Sequence, residues 1–492
     1  MRIPHQKQLY LGCPAISQVT LNTNCRDRMI PILRGLQHLY SQPKLRQQAL
    51  DLIEQNVLGD ADANRGRPGM TLWQILVLAS VRQGCDCTYD HLQDLAENHN
   101  NLRHILQVFQ DWKDEPFDWR RIRDNVCLVQ PETIEKINHL IVAEGHRLAP
   151  AAVETIRGDT FVAETNVHYP TESSLILDGL QKILTLAPEL ASLLGLLGWR
   201  QAKSLYKKAK RAAREIGRVK KGRNYEARLQ AGYDKLLQIT ETVLPRTQDL
   251  LDRALQNLPT DADVFATAEA ANLLNDLIYW HAATTQVCGT ARRRVMEDEK
   301  VPNTDKLFSL FEPDTELLIR GKAGQPIQYG HKVLVIEDAL GFLCHYKIVP
   351  LATDDRDVLI PEVKSLQQRV GGKIQRASFD RGFHSPENQT QLAELITHPC
   401  LPKPGVKQAA AQASQASVEF RQARQKHPGI ESAIGALQSG NGLARCRDHS
   451  QIGYARYVGL GVLGRNLLTL GKLLLSREHP DCIAAASLRD AA

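Results

Sequence analysis

The chain has 492 residues, of which 43% are apolar, 24% charged and only 5% aromatic. These proportions are those of an ordinary globular protein, so they exclude collagen, coiled-coil rods and wholesale disorder. The low aromatic content disfavours a single-strand binder that stacks bases on aromatic side chains. The formal net charge of +6 is small for this length, but it is unevenly distributed.

No membrane span, signal peptide or disulfide framework is predicted. The most apolar stretch, Tyr457 to Leu475, is interrupted by Arg465 and Lys472, so it falls short of the roughly 18 apolar residues of a transmembrane helix. The N-terminus lacks the apolar core of a signal peptide. The ten cysteines are widely spaced, which is typical of buried thiols in a reducing, cytoplasmic setting.

Residues 1 to about 150 are predicted to be helices joined by short polar connectors. Thr71 is a suitable cap for a helix over Leu72–Arg82, and Pro131 suits the first position of a later helix. A compact helical module of this kind fits DNA binding. Helical packing without a DNA role fits the pattern about as well.

The pattern changes at Val153, where β-branched residues that alternate in places predict a strand ending at Pro170. Residues 172 to about 300 then return to helical periodicity. Two further strands flank the turn that begins at Asp338 and has hairpin length.

Beyond the hairpin, helices and strands alternate. A helix over Asp357–Val370 precedes a strand over Lys373–Asp380, and a weak strand at His398 follows. Two closing helices complete the pattern. With the helical segment after the first strand set aside, this order predicts an α/β layer with a partly antiparallel sheet.

Three carboxylates lie where ligand chemistry is common. Asp159 is inside the first predicted strand, Asp380 ends the fourth, and Glu431 is near the first turn of a later helix. A strand carboxylate is costly to bury unless it is paired or binds a metal, and ligands of open α/β sheets bind where strands end. Taken alone, each acid is more simply explained as a cap, a turn or a surface residue.

A basic segment accounts for the positive charge of the chain. The segment from Arg200 to Arg228 contains twelve cationic residues and two acidic ones, so its net charge is +10. The rest of the chain therefore has a net charge of −4. At about 100° per residue the apolar residues Leu205, Ala209, Ala212 and Ile216 share one face. The opposite face carries Lys203, Lys207, Lys210, Arg211, Arg214, Arg218 and Lys221.

This helix is predicted to pack by its apolar side and to offer cations to a phosphate backbone, with salt-sensitive and sequence-neutral affinity. The alternative is a solvated helix face. A membrane-surface helix is disfavoured because the apolar side is mostly alanine.

The chain resembles the DDE insertion-sequence transposases, and within them a bacterial group of the ISNCY type. The resemblance covers roughly residues 70 to 475. It is carried by several motifs in order: Asp159-Thr-Phe-Val-Ala-Glu-Thr-Asn-Val-His-Tyr-Pro, Gly330-His-Lys, Ser378-Phe-Asp-Arg-Gly-Phe-His-Ser, Pro428-Gly-Ile-Glu-Ser-Ala-Ile, and Gly442-Leu-Ala-Arg-Cys-Arg-Asp-His.

The resemblance implies an RNase-H-like mixed sheet core with a helical N-terminal domain and a large helical insertion. The corresponding ranges are an N-terminal DNA-binding region over 1–150, a core over 151–171 and 321–476, an insertion over 172–320, and a tail over 477–492.

The implied catalytic and metal-binding residues are Asp159, Asp380 and Glu431, which would hold two Mg²⁺ or Mn²⁺ ions. Asp159 is expected to bridge both ions, with Asp380 on one and Glu431 on the other. Such ions clamp the attacking and leaving oxygens of a phosphoryl displacement. Arg424, Arg445 and Arg447 are further candidates for contact with DNA phosphates near the metals.

Two other residues are alternatives to the implied catalytic acids. The tyrosine–arginine pair that the family carries ahead of its glutamate is replaced here by Phe420-Arg421 and Arg424, which leaves Glu419 as an alternative to Glu431. Glu164 is a weaker alternative to Asp159, because residues five apart in a strand point to opposite faces. The chain has no phosphate-binding Gly-x-x-x-x-Gly-Lys loop, so no nucleotide cofactor is expected.

The function implied by the resemblance is metal-dependent cleavage of double-stranded DNA at element ends, followed by strand transfer into target DNA. A homodimer on DNA is expected, in the cytoplasm and associated with the nucleoid when bound. Two alternatives remain: a metal-dependent nuclease of the same fold without strand transfer, and a catalytically silent DNA-binding protein.

Overall fold

A computed structural model of the chain describes residues 2–6, 14–23, 25, 27–59, 69–108, 117–256, 264–319, 326–403 and 417–478. The chain divides into two compact units, the first made of Met1–Asn166 with Gly330–Ala492 and the second of Val167–Tyr329. The predicted N-terminal region over 1–150 therefore belongs to the same unit as the predicted core. The second unit extends a few residues beyond both ends of the predicted insertion, and most of the predicted tail lies outside the described residues.

Helices dominate the part of the first unit that precedes the sheet. They are α1 (Met29–Ser41), α2 (Pro43–Leu58), α3 (Leu72–Gly84), α4 (Tyr89–Asn98), α5 (Asn100–Ile105), α6 (Trp119–Cys127) and α7 (Pro131–Leu148). The remaining helices of this unit are α12 (Asp355–Arg369), α13 (Pro386–Leu395), α14 (Val418–Lys426), α15 (Gly429–Gly440) and α16 (Gln451–Glu478).

The second unit is helical as predicted. Its long helices are α8 (Glu172–Leu193), α9 (Ala202–Gly217), α10 (Tyr225–Gln256) and α11 (Val264–Val295). The strands of the protein are β1 (Thr155–Glu164), β2 (Glu316–Ile319), β3 (Ile327–Asp338), β4 (Leu343–Val349), β5 (Arg376–Phe379) and β6 (His398–Cys400).

The sheet is mixed, with strand order β2-β3-β1-β5-β6 and with β4 also beside β3. β1 pairs antiparallel with β3 and parallel with β5, while β3 and β4 form an antiparallel hairpin and β5 and β6 are parallel. Among these five paired strands, β3 alone runs opposite to the other four. The predicted α/β class with a partly antiparallel sheet is confirmed.

Local sequence signals explain most element boundaries. Thr71 caps α3 through a capping box with Gln74, and Pro131 opens α7 as predicted. Ser385 accepts a hydrogen bond from the backbone N–H of Asn388 at the start of α13. Two elements were not predicted, the short strand β2 and the separate helix α14.

Helix α16 forms the centre of the first unit, where it packs against α1, α3 and α7. By length and composition alone it could cross a membrane, with a mean hydropathy of 1.4 in its most apolar window, yet 72% of that window is buried inside the protein. Packing on three helices accounts for the apolar composition of the stretch between Tyr457 and Leu475. This burial agrees with the prediction that the stretch is not a bilayer span.

Asn466 on α16 is a structural residue that connects the central helix to β4. Its side chain is fully buried. The Asn466 Oδ1 atom accepts a hydrogen bond from the Leu343 backbone N–H at 2.8 Å, and its Nδ2 donates to the Leu343 carbonyl and to Asn138 Oδ1, both at 3.1 Å. The amide thus provides hydrogen-bond partners for the backbone N–H and carbonyl of Leu343, where β4 meets the central helix.

Replacing Asn466 with leucine should leave the Leu343 backbone groups buried and unpaired. We expect a loss of about 2 kcal/mol in the free energy of unfolding, since an orphaned buried donor costs its desolvation penalty. The measurement is the urea midpoint followed by far-ultraviolet circular dichroism. Asn275→Leu, at an exposed position of the helix α11, is the control that should shift the midpoint little; equal shifts in both variants would contradict the assignment.

Candidate active site

Asp159 and Asp380 occupy equivalent positions on adjacent parallel strands. The register of β1 with β5 ends at the pair Gly158↔Phe379, so Asp159 is the next residue of β1 and Asp380 is the residue that directly follows β5. The glycine is required here, because a Cβ on Gly158 would come within 2.6 Å of the Phe379 ring. The ring is fully buried, and its contact with the bare glycine backbone fixes the register that places the two acids side by side.

Both aspartates lie on the sheet face that packs against α15. Asp159 pairs with Val335 across β1 and β3, and residues directly opposite each other share a face. Val335 belongs to the apolar cluster that contains Ile430 and Ala433 of α15. Alternation along β5 places Ser378 and Asp380 on this same face. Because Glu431 is the third residue of α15, the helix that carries it packs on the face that bears the two aspartates.

Arg157 connects the start of α15 to the sheet. Its guanidinium donates a hydrogen bond to the Lys426 carbonyl at 3.0 Å and lies close to Gly429, where an added Cβ would require this flexible side-chain end to shift. Arg157 precedes Asp159 by two residues and so shares its face. The N-terminal end of α15, with Glu431, is thereby held beside the strand of Asp159.

His427 links the helical pair α14–α15 to β5. Its imidazole is buried, and its Nδ1 atom lies 2.9 Å from Ser378 Oγ. Burial lowers the pKa of His427, and the neighbouring Arg424 guanidinium acts in the same direction. The carboxylates of Asp380 and Glu431 act in the opposite direction. One imidazole therefore experiences the charges of both acids, which come from different elements of the fold.

Arg424 is the cation that the structure places nearest Asp380. Its Nη1 atom lies 3.8 Å from Asp380 Oδ1, and this nitrogen is buried without a hydrogen-bond partner. Counted along the nearly continuous α14–α15 segment, Arg424, His427 and Glu431 recur at three and four residues and so share one side. A buried donor without a partner next to an exposed carboxylate marks a position suited to an anionic oxygen of a ligand.

The opposite face of the sheet supports the Asp159 position. Thr160 donates a hydrogen bond from Oγ1 to Asp355 Oδ2 at 3.2 Å, and Lys332 Nζ lies 2.7 Å from Asp355 Oδ1. The Thr160 backbone N–H donates to Asp159 Oδ1 at 2.7 Å. This network restrains the backbone of β1 at the residue that follows the acid.

The other candidate residues lie elsewhere. Arg445 pairs with Glu164 at 3.4 Å, and Arg447 pairs with Asp86. These two guanidiniums thus have acidic partners within the protein, as Arg424 has in Asp380. Glu164 ends β1, five residues from Asp159, while Glu419 is exposed in the first turn of α14. The charged groups that shift the pKa of His427 are Arg424, Asp380 and Glu431, and not these two alternatives.

The basic segment forms the amphipathic helix that its spacing predicts. Ala209, Ala212 and Ile216 of α9 are buried in the apolar core of the second unit. Lys203, Lys207, Lys210, Arg211, Arg214 and Arg218 are all exposed. Arg218 is the C-terminal cap of the helix, and Lys221, also exposed, lies in the loop before α10 and not on the helix face where it was predicted.

Two sets of side chains in the first unit carry donor atoms of the kinds that metal ions bind, but they differ in how closely the atoms are gathered. Asp159, Asp380 and Glu431 offer carboxylate oxygens on one face of the sheet, and among the described residues they are not a group of three whose ligand atoms all lie within 4.8 Å of one another. A second group, not found from the sequence, consists of His146, Asp338 and Cys344, whose ligand atoms lie within 4.8 Å of one another. The first set is the hard oxygen type that Mg²⁺ prefers.

Comparison with known proteins gives no match to a protein-family model, to a curated protein or to a solved structure.

Sequence reasoning missed the roles of His427 and Ser378. In the sequence, Ser378 stands out only as the first residue of the Ser378-Phe-Asp-Arg-Gly-Phe-His-Ser motif. The available signal was spacing, since His427 precedes Glu431 by four residues, about one helical turn. The partner Ser378 could not be found in this way because 49 residues separate it from His427.

The lowered pKa of His427 predicts a stability change below neutral pH. The folded protein binds fewer protons at this site than the unfolded chain, whose histidine pKa is about 6.5, so stability is lost as the pH falls below that value. Between about pH 7.5 and about pH 5.5, the wild type should lose more stability than His427→Gln, measured by urea midpoints. His398→Gln, at an exposed histidine, is the control and should retain the wild-type pH dependence. An unchanged dependence in His427→Gln would contradict the prediction.

Proposed function

We propose that the protein is a DDE-type DNA transposase that cleaves DNA at the ends of a mobile element and joins those ends to target DNA. The observation that carries the proposal is the placement of Asp159 and Asp380 at equivalent positions of adjacent parallel strands, with α15 bringing Glu431 to the same face. These acids span 272 positions of sequence, yet the pairing of β1 with β5 and the packing of α15 bring them to one face of the sheet.

The sheet supports this proposal at the level of architecture. A mixed sheet in which β3 runs opposite to β1, β4, β5 and β6 is compatible with the RNase-H-like core that the sequence resemblance implies. The second unit lies in sequence between β1 and β3, where the resemblance placed a helical insertion. The catalytic core of the proposed enzyme would be the sheet with α12 to α16.

The residues of the site fit divalent cations of the Mg²⁺ or Mn²⁺ type. Asp159, Asp380 and Glu431 supply hard oxygen donors, and Asp380 and Glu431 are solvent-exposed, which leaves access for water and phosphate ligands. When bound, such ions would supply Lewis-acid stabilisation of phosphoryl oxygens and an activated water or hydroxyl.

The side chains around the acids have separate tasks in this proposal. The buried, unpartnered Nη1 atom of Arg424 would bind a phosphate oxygen of the DNA backbone, in the charge-assisted manner of guanidiniums. His427, neutral in its buried position and held by Ser378, would fix the junction of α14 and α15 and so the direction of Glu431. Arg157 would hold the same junction from the strand.

Helix α9 would supply sequence-neutral affinity for DNA. Its exposed cations follow one side of the helix while its apolar side is buried in the second unit, so the helix can contact phosphates without unfolding. Two subunits would pair two element ends, which makes a homodimer on DNA the expected active assembly.

Removing any of the three acids should abolish cleavage but preserve DNA binding. For Asp159→Asn, Asp380→Asn and Glu431→Gln we expect the Mg²⁺- or Mn²⁺-dependent cleavage rate to fall by about a hundredfold to a thousandfold or more, the range typical for lost transition-state electrostatics. The measurement is single-turnover cleavage of duplex DNA taken from the regions flanking the gene, with gel-shift binding in parallel.

Glu419→Gln is the matched control, because Glu419 is an exposed helical glutamate that lies a short distance before Glu431 in the sequence. It should cleave at the wild-type rate. Loss of cleavage in Glu419→Gln with normal cleavage in Glu431→Gln would overturn the assignment of the glutamate. Wild-type cleavage by all three acid variants would overturn the proposed function.

Pre-cleaved ends distinguish the transposase from its alternatives. Duplexes from the flanking regions that already carry a free 3′-hydroxyl should be joined to a supercoiled plasmid. Cleavage without joining would identify a nuclease of the same fold, and binding without nicking in Mn²⁺ would identify a silent DNA-binding protein.

Charge reversal on α9 should weaken DNA binding and reduce its salt dependence. For the triple variant Lys207→Glu, Arg211→Glu, Arg214→Glu we expect the slope of log K against log salt concentration to fall by up to about 3, since each lost phosphate contact removes about 0.9. The measurement is fluorescence anisotropy with labelled duplex DNA over a range of salt concentrations.

The control changes the same amount of charge elsewhere in the second unit. Lys235, Arg246 and Arg253 are exposed cations of α10 outside the basic segment, and their reversal should alter the slope much less. Equal slopes for wild type and the α9 variant would refute the role of the basic helix.

A further inference from the structure

A compact group of three potential metal ligands lies in the first unit, away from the acids in sequence. His146 is near the end of α7, Asp338 is the last residue of β3, and Cys344 is the second residue of β4. His146 Nε2 lies 3.0 Å from Asp338 Oδ2 and 3.7 Å from Cys344 Sγ. The three ligand atoms are all within 4.8 Å of one another.

We propose that His146, Asp338 and Cys344 form a binding site for a single transition-metal ion of the Zn²⁺ type, separate from the carboxylate site and serving to hold the β3–β4 hairpin on α7. The proposal goes beyond the proposed function and uses none of its catalytic residues. It therefore stands or fails independently of DNA cleavage.

The separations between these atoms are close to those in a tetrahedral zinc site. Bonds of about 2.0 to 2.3 Å from Zn²⁺ to oxygen, nitrogen and sulfur place neighbouring ligand atoms about 3.3 to 3.6 Å apart. The two separations given above lie just below and just above this range. Small side-chain rotations would therefore suffice to admit an ion between the three atoms.

The hairpin turn orients the carboxylate of Asp338. Its Oδ1 atom accepts hydrogen bonds from the backbone N–H groups of Leu340 at 2.8 Å and Phe342 at 3.0 Å. The side chain is fully buried, and Oδ2 is directed to His146. One oxygen thus holds the turn while the other remains a ligand, an arrangement in which supporting hydrogen bonds orient a metal ligand.

The chemistry of this set differs from that of the acids. A thiolate and an imidazole select borderline ions such as Zn²⁺ or Co²⁺, whereas Mg²⁺ is bound by oxygen donors. Burial raises the pKa of the Cys344 thiol well above its ordinary value, so the metal-free group holds a neutral thiol. Binding forms a metal–sulfur bond and releases the thiol proton to solvent.

Three protein ligands leave one tetrahedral position for a water molecule or another external donor. The side chain of His146 retains 11% exposure, which gives an ion an entry from the surface. Binding to the folded state alone would stabilise the unit in proportion to the ion concentration. The expected role is structural because the group lies at the closed end of the hairpin.

The test is metal retention by the full-length protein. After reconstitution with Zn²⁺ and gel filtration, the wild type should hold one equivalent of zinc that survives competition by excess Mg²⁺. With Co²⁺ in its place, a thiolate-to-cobalt charge-transfer band and intense d–d bands should appear. Cys344→Ala should lose the charge-transfer band and the bound equivalent, and His146→Gln should bind at least about tenfold more weakly.

Two controls make the result specific. Cys288→Ala removes a buried cysteine of the second unit and should keep both the equivalent and the band. Asp380→Asn should also keep both, which separates this site from the carboxylates. Folding of each variant is checked by circular dichroism, and His146→Gln retains a side-chain amide that can still donate to Asp338.

Three results would overturn the proposal. One is a folded wild type that retains no zinc and shows no charge-transfer band with Co²⁺. A second is a Cys344→Ala variant that retains zinc as the wild type does. The third is the loss of the equivalent in Asp380→Asn with full retention in Cys344→Ala, which would assign the ion to the carboxylates.

Discussion

The contact between Gly158 and the Phe379 ring is the constraint on which the candidate site depends. Because the side-chain period of a strand is two, a shift of one residue between β1 and β5 would turn one aspartate to the opposite face. The bare backbone of Gly158 accepts the ring at a distance that no Cβ would permit. The buried Phe379 ring and the absence of a Cβ at Gly158 therefore determine that Asp159 and Asp380 lie on the same face of the sheet and in register with each other.

The same parallel pairing explains how the chain can accommodate its second unit. Parallel strands require a long crossover connection, and here the connection from β1 to β5 already includes the β3–β4 hairpin and α12. A further 163 residues, Val167–Tyr329, are inserted into this connection between the antiparallel strands β1 and β3. Since the entropic cost of a loop grows only slowly with its length, an inserted body with its own apolar core need not disturb the register of the sheet.

The sequence was sufficient for most of the elements, and insufficient for the contacts between distant segments. Periodicity and caps located α3, α7, α9 and the β3–β4 hairpin because those signals are local. Spacing also identified the buried and exposed sides of α9, apart from Lys221, which lies beyond the end of the helix. The structural role of Asn466 could not be predicted because its partners, Leu343 and Asn138, are more than 100 residues away.

The hairpin of β3 and β4 connects the two potential metal sites. Asp338 lies at one end of β3, and Val335, three residues earlier, is the partner of Asp159, a separation of about 10 Å along the strand. An ion held by Asp338, Cys344 and His146 would restrain the end of the strand that supports Asp159. Of the oxygen donors on the sheet face, Asp380 and Glu431 are exposed to solvent, whereas the nitrogen–sulfur–oxygen group at the hairpin is largely buried. The two sites could therefore hold different ions in one unit, because their donors and solvent access select against each other's metal.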